Sequence, residues 1–161
     1  MKQEEFIAIV KQHQKLIFKV CHLYGADEEQ RKDLEQEILI QLWLSMERFR
    51  GASKLSTWIY RVAINTAITQ TKKLNNYLSN LQRIDDTIIN LQNDTSDSDH
   101  IDLLYRAIQL LGPTDKAMMM LYLDRLKHTE IAHIMGITPS NVATKIARIK
   151  NQLSKNINKL K

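Results

Sequence analysis

Residues 33 to 73 read DLEQEILIQLWLSMERFRGASKLSTWIYRVAINTAITQTKK, two helical patterns separated by one short break. In the first, Leu34, Ile38, Leu42, Met46 and Phe49 recur at helical spacing, so at roughly 100° per residue they fall on one stripe that can bury against a core. Ile40 and Leu44 project to the opposite side, and six of the seven residues from Ile38 to Leu44 are apolar. A helix apolar on both sides is either sandwiched inside its own domain or offers one side to a partner, and periodicity weighs the two evenly.

The second pattern begins after Arg50-Gly51-Ala52-Ser53, where glycine and a short polar run break the helix. Leu55, Ile59, Val62 and Thr66 form an inward stripe with Trp58 and Ala63 beside it, while Arg61, Asn65, Lys72 and Lys73 lie largely off it. A mostly uncharged polar face ending in lysines suits nucleic acid, because amides and hydroxyls read base edges while lysines neutralise phosphates. A solvated face is the competing reading and, on these residues alone, the commoner one.

The rest of the chain fits around this pair. Phe6, Ile9, Val10, His13, Ile17, Val20 and Cys21 predict a first helix over residues 4 to 24, ended by Gly25-Ala26-Asp27. Asp27-Glu28-Glu29 then places negative charge at a helix start, where the dipole favours it. From Leu74 to His100 the composition turns polar and acidic. Asn93-Asp94-Thr95-Ser96-Asp97-Ser98-Asp99 reads as a flexible linker, while Leu81, Ile84, Ile88 and Leu91 have the spacing of a transient helix.

Beyond the linker, Ile101, Leu104, Ile108 and Leu111 predict a helix ended by Gly112, and Pro113-Thr114 open another through Met118, Leu121 and Tyr122. The run Met118-Met119-Met120 is read as core filling, since methionine adapts to irregular gaps. Residues 129 to 150, TEIAHIMGITPSNVATKIARIK, have the parts of a helix-turn-helix. Ala132 permits close helix contact, Gly136 a positive φ, Thr138 a cap and Pro139 the first helical position. Val142, Ile146 and Ile149 bury the second helix, which leaves Ser140, Asn141, Ala143, Thr144, Lys145, Ala147 and Arg148 outward at the end that enters a major groove.

Charge agrees with two nucleic-acid surfaces. The net +5 divides into +3 for residues 1 to 73, −4 for 74 to 100 and +6 for 101 to 161, an asymmetry that favours a polyanion at both ends. Cys21 is the single cysteine, so no internal disulfide forms and a reducing compartment fits. The opening Met1-Lys2-Gln3-Glu4-Glu5 lacks the apolar segment of a secretory signal. The longest apolar run, Ala117 to Leu123, is far short of the ~20 residues that span a bilayer. A cytoplasmic location without membrane insertion is the expectation. Cys21 lies on an apolar stripe and the five histidines share no ligand spacing, so no catalytic constellation, metal or cofactor is expected.

The ordered run Asp33-Leu34-Glu35-Gln36-Glu37, Leu42-Trp43, Phe49-Arg50-Gly51, Ser56-Thr57-Trp58-Ile59-Tyr60-Arg61-Val62-Ala63 and Asn65-Thr66-Ala67 resembles the N-terminal domain of bacterial sigma factors of the extracytoplasmic-function group. Residues 101 to about 155 resemble the C-terminal domain of the same group. The resemblance implies that the first helix of the central pair docks on the clamp helices of RNA polymerase through Asp33, Gln36, Glu37 and Ile40. It implies that the second helix and its preceding loop read a melted minus-ten strand through Arg50, Gly51, Ser53, Lys54, Arg61, Asn65, Lys72 and Lys73. It also implies that Ser140, Asn141, Thr144, Lys145 and Arg148 read the minus-thirty-five element, and that the connector threads toward the active-site cleft and RNA exit path.

Departures from the group's pattern are an alanine, Ala143, where a basic residue is frequent, Lys127 near a usual serine cap, and a terminal basic cluster thinned to Lys72 and Lys73. The expectation is an all-α chain of two small helical domains, 1–73 and 101–161, the second a helix-turn-helix, joined by a flexible acidic linker over 74–100. Its expected partners are core RNA polymerase and promoter DNA, with an anti-sigma protein as a further candidate, and bond formation is left to the polymerase. A stand-alone helix-turn-helix regulator is the alternative. It would use one operator and would not copurify with polymerase.

Overall fold

The computed structural model describes residues 1–81 and 99–161, and every regular element among them is helical. In chain order these are α1 (Gln3–Gln12), α2 (Gln14–Tyr24), α3 (Glu28–Ser45), a 3-10 turn (Met46–Arg48), α4 (Leu55–Leu81), α5 (Asp99–Gln109), α6 (Pro113–Leu123), α7 (His128–Met135) and α8 (Pro139–Leu160).

The one helix expected over residues 4 to 24 is two. At His13 the backbone leaves helical geometry (φ −108°, ψ 15°), and the ring Nδ1 lies 2.9 Å from the Ile9 carbonyl oxygen. The His13 N–H is shared between that carbonyl at 3.1 Å and the Val10 carbonyl at 3.2 Å, so the Val10 oxygen that residue 14 would use in a continuing helix is engaged one residue early. The break before α3 is as read: the Asp27 carboxylate accepts the Gln30 N–H at 2.8 Å, a side-chain N-cap.

Leu34, Ile38 and Leu42 of α3 and Met46 of the following 3-10 turn are buried, while Phe49 is half-buried against Trp58. On α4 the buried set is wider than the expected stripe. Ile59, Ala63 and Thr66 are inside, but so are Tyr60, Ile64 and Ala67, whereas Leu55 and Val62 are only half-buried. The reason is that α4 contacts α2 and α3 and also α6 and α7. The helix does not stop at Lys73, where composition shifts; it continues to Leu81, and α5 begins at Asp99. Ile84, Ile88, Leu91 and the acidic run as far as Ser98 fall outside the described residues.

In the C-terminal half, Met118 and Met119 are core residues as expected, together with Ala107, Ile108 and Leu111, but Ile101 at the start of α5 is exposed. Gly112 serves as the N-cap of α6 after a short turn from Gln109, with Pro113 in the first helical turn. The long α8 reaches back to α5, where the buried Asn156 amide donates to the Ala107 carbonyl at 3.2 Å. Buried residues from both halves form one contiguous apolar cluster instead of two separate small cores.

Candidate nucleic-acid interface

The loop before α4 is fixed at its root by the Phe49 ring, 5.4 Å from Trp58 at 46°, and by the Trp58 N–H donating to the Lys54 carbonyl at 3.1 Å. Gly51 sits in the left-handed region at φ 73° with open space around its α-carbon, a conformation that side-chain-bearing residues rarely take. Arg50, Gly51 and Lys54 are exposed and Ser53 is half-buried.

Along α4, Arg61, Asn65, Lys72 and Lys73 are all exposed, whereas Thr66 turns inward and donates to the Val62 carbonyl at 2.7 Å. Asn65 lines a groove of about 360 Å³ with Glu37, Gln41, Thr69, Gln70 and Lys73. Glu37 accepts from the Gln41 amide at 2.9 Å there, so one acidic residue expected on the polymerase face lies beside the asparagine expected on the DNA face. Asp33, Gln36 and Ile40 are exposed on α3, and Leu44 is 65 % exposed one turn beyond Ile40. Trp43 is partly covered by α1 through an edge-to-face contact with Phe6 at 5.0 Å.

The helix-turn-helix has the expected joints. Gly136 takes φ 69°, its N–H and that of Ile137 both point to the Ala132 carbonyl, and the Thr138 hydroxyl accepts the Asn141 N–H at 3.2 Å. At the start of α7 the place of a serine cap is taken from the other side, because the Glu130 carboxylate accepts the Lys127 N–H at 3.1 Å. Val142, Ile146 and Ile149 are buried, which leaves Ser140, Asn141, Thr144 and Arg148 exposed and Lys145 half-buried on α8.

Several of these side chains already have partners. The Thr144 hydroxyl donates to the Ser140 carbonyl at 3.1 Å. Arg148 grips Asp115 through both terminal nitrogens, at 2.9 and 3.2 Å, and these bonds raise its pKa further. Lys150 donates to the Tyr122 hydroxyl at 2.7 Å and lies 4.4 Å over that ring.

Periodicity gave no signal for the contacts that Arg61 and Lys54 make. Arg61 borders a cleft with Thr129, His133, Gly136, Ile137 and Pro139, and Lys54 is 3.7 Å from Glu130. Their partners lie about 70 residues away in sequence, beyond any local pattern. Cys21 is buried on the apolar stripe, where burial pushes its thiol up to about 11 and removes it from nucleophilic use. Among the described residues no cluster of His, Cys, Asp or Glu has metal-binding geometry, and no helix is long and apolar enough to cross a membrane.

Residues 9–77 match the family model of Sigma-70 region 2, and residues 101–153 match that of Sigma-70 region 4. The chain is 23 % identical over 177 residues to the ECF RNA polymerase sigma factor SigW of Bacillus subtilis, covering 98 % of this chain and 91 % of that protein. It is 28 % identical over 149 residues to the ECF RNA polymerase sigma-E factor of Escherichia coli, covering 80 % and 74 %. Among solved structures, the sigma factor RpoE in complex with the anti-sigma factor NepR from Bartonella quintana aligns with a TM-score of 0.71 at 15 % identity, over 97 % of this chain and 96 % of that one. CnrH in complex with the cytosolic domain of CnrY aligns with a TM-score of 0.58 at 16 % identity, over 98 % and 90 %. At those identities the structural likeness speaks to fold alone.

Proposed function

The chain belongs to the extracytoplasmic-function group of sigma factors, which serve transcription initiation without catalysing it, and from that premise we propose that it joins core RNA polymerase in the cytoplasm, directs it to promoters with minus-ten and minus-thirty-five elements, and assists their melting. The observation that carries this reading is the pairing of two separate polar surfaces, on α4 and on α8, with an exposed apolar strip on α3.

Each surface has a part. Ile40, flanked by Asp33, Gln36 and Glu37, docks on polymerase, because exposed apolar area next to polar anchors is what a partner helix covers. The loop from Arg50 to Lys54 and the groove at Asn65 receive an unstacked base of the melted strand, for which the Asn65 amide offers both a donor and an acceptor. Arg61, Lys72 and Lys73 neutralise nearby phosphates. On α8, Ser140, Asn141, Thr144 and Arg148 face base edges of the upstream duplex, and Lys145 its backbone. An anti-sigma protein is a further partner, by analogy with the two sigma factors solved with theirs.

Run-off transcription on genomic fragments with purified core polymerase tests the proposal. Discrete start sites that need both upstream and downstream elements are expected. Binding to a single operator, with no copurification of polymerase, would make the chain a stand-alone regulator instead.

A further inference from the structure

Helix α6 packs on α8 and meets two of its basic side chains with polar groups. Asp115 and Tyr122 stand seven residues apart on α6, two turns along one face, with the buried Met118 and Met119 between them. Tyr122 takes Lys150 through its hydroxyl and ring, which bring no carboxylate to the lysine. Asp115 takes Arg148 as a fork, Nη2 donating to Oδ1 at 2.9 Å and Nη1 to Oδ2 at 3.2 Å.

The fork occupies one edge of the guanidinium. Of its five coplanar N–H groups, two face the carboxylate, which leaves the Nε–H and one outer N–H on each terminal nitrogen. The Nε–H and the outer N–H beside it are parallel donors, a match for the N7 and O6 acceptors of guanine. The Arg148 side chain is 55 % exposed and that of Asp115 only 22 %, so the carboxylate is the anchor and the guanidinium the group presented to solvent.

A pair this exposed contributes little to stability, and its consequences are for freedom and charge. An unheld arginine loses rotamer freedom when it binds, whereas Arg148 has lost it on folding. The carboxylate also offsets the pull of the guanidinium on phosphates, while the remaining N–H groups keep their direction. Both consequences favour reading a base over anchoring a backbone.

We propose that Asp115 is a specificity-determining positioning residue, which fixes the Arg148 guanidinium end-on so that its Nε edge reads a guanine of the upstream element. The inference rests on the assignment of α8 to that element under the proposed function. It gives α6 a part in promoter selection although Asp115 itself touches no base.

The test uses holoenzyme assembled from core polymerase and the full chain. Competition over duplexes randomised in the upstream element, and against a non-specific duplex, is measured at two salt concentrations. Asp115→Asn keeps the shape of the side chain but leaves one oxygen acceptor and breaks the fork. Guanine preference at one upstream position should fall at least fivefold. Affinity for the non-specific duplex should rise, with a log–log salt slope steeper by about 0.9, the increment of one phosphate contact. In an Arg148→Ala background the same substitution should leave base preference unaltered, because no guanidinium remains to position. A merely bracing Asp115 would lower the melting temperature and leave base preference unchanged, and a merely restraining one would give a sharper guanine preference in Asp115→Asn. Either result, or an effect on base preference that persists without Arg148, overturns the inference and leaves the sigma reading standing. Wild-type holoenzyme that selects no upstream sequence overturns the two-element reading, and the inference with it.

Discussion

At the scale of single residues, Asn65 and Arg148 separate two kinds of DNA contact. Asn65 is exposed at the groove between α3 and α4 and no stripe requires it there, so Asn65→Ala should leave thermal stability and core-polymerase affinity unchanged. It should lower open-complex formation at dependent promoters, measured as permanganate reactivity of minus-ten thymines. Unchanged reactivity would return Asn65 to the status of a solvated surface amide. Arg148 differs because it is already held by Asp115, and to reach a guanine edge it must share or leave that carboxylate. Arg148→Ala should cost about 1 to 3 kcal/mol of discrimination at one upstream position. Lys145→Ala should instead lower the slope of log affinity against log salt by about 0.9, with base preference unaltered. A competition assay over a randomised upstream element, at two salt concentrations, reads both effects.

At the scale of elements, the joints of α6, α7 and α8 carry a testable contrast. Gly136 occupies the left-handed region at φ 69°, and an added side-chain carbon would meet only an ordinary contact, so Gly136→Ala should be destabilising through backbone strain by about 1 to 2 kcal/mol. Arg125, after α6, has the same conformation at φ 61° without being glycine, while the Leu126 N–H bonds back to the Leu121 carbonyl at 3.3 Å. Arg125→Gly should therefore stabilise, by up to about 1 kcal/mol once the extra entropy of glycine in the unfolded chain is set against the relieved strain. Urea denaturation of both variants decides the matter, and shifts of the same sign would refute the account. The turn at Gly136 was legible because glycine, threonine and proline have positional meanings there. The strain at Arg125 was not, since arginine carries no turn signal.

At the scale of the molecule, the α3 surface gives the remaining prediction. Gln36→Ala with Glu37→Ala should weaken binding to core polymerase at least several-fold while circular dichroism is unchanged, and undiminished affinity would move the docking face elsewhere. Where that face stands relative to the DNA surfaces depends on tertiary structure, as Glu37 beside Asn65 shows. The sequence by itself determined the helices of the central pair, the helix-turn-helix with its cap and turn, the methionine core and the inert cysteine. Each of these is written in spacing or in residue-specific backbone preference within a turn or two of chain. The break at His13, the burial of Tyr60, Ile64 and Ala67, the Asn156 bond to α5 and the bonds that Asp124 accepts from Lys19 and Tyr60 were decided only by the fold. The first turns on a local hydrogen bond that competes with the helix, the hydrogen bonds join residues 49 or more positions apart, and the wider burial on α4 follows from its contacts with α2, α3, α6 and α7. Hydrophobic periodicity names the face that will be buried. It cannot say that a second face will be buried as well when further helices close over it.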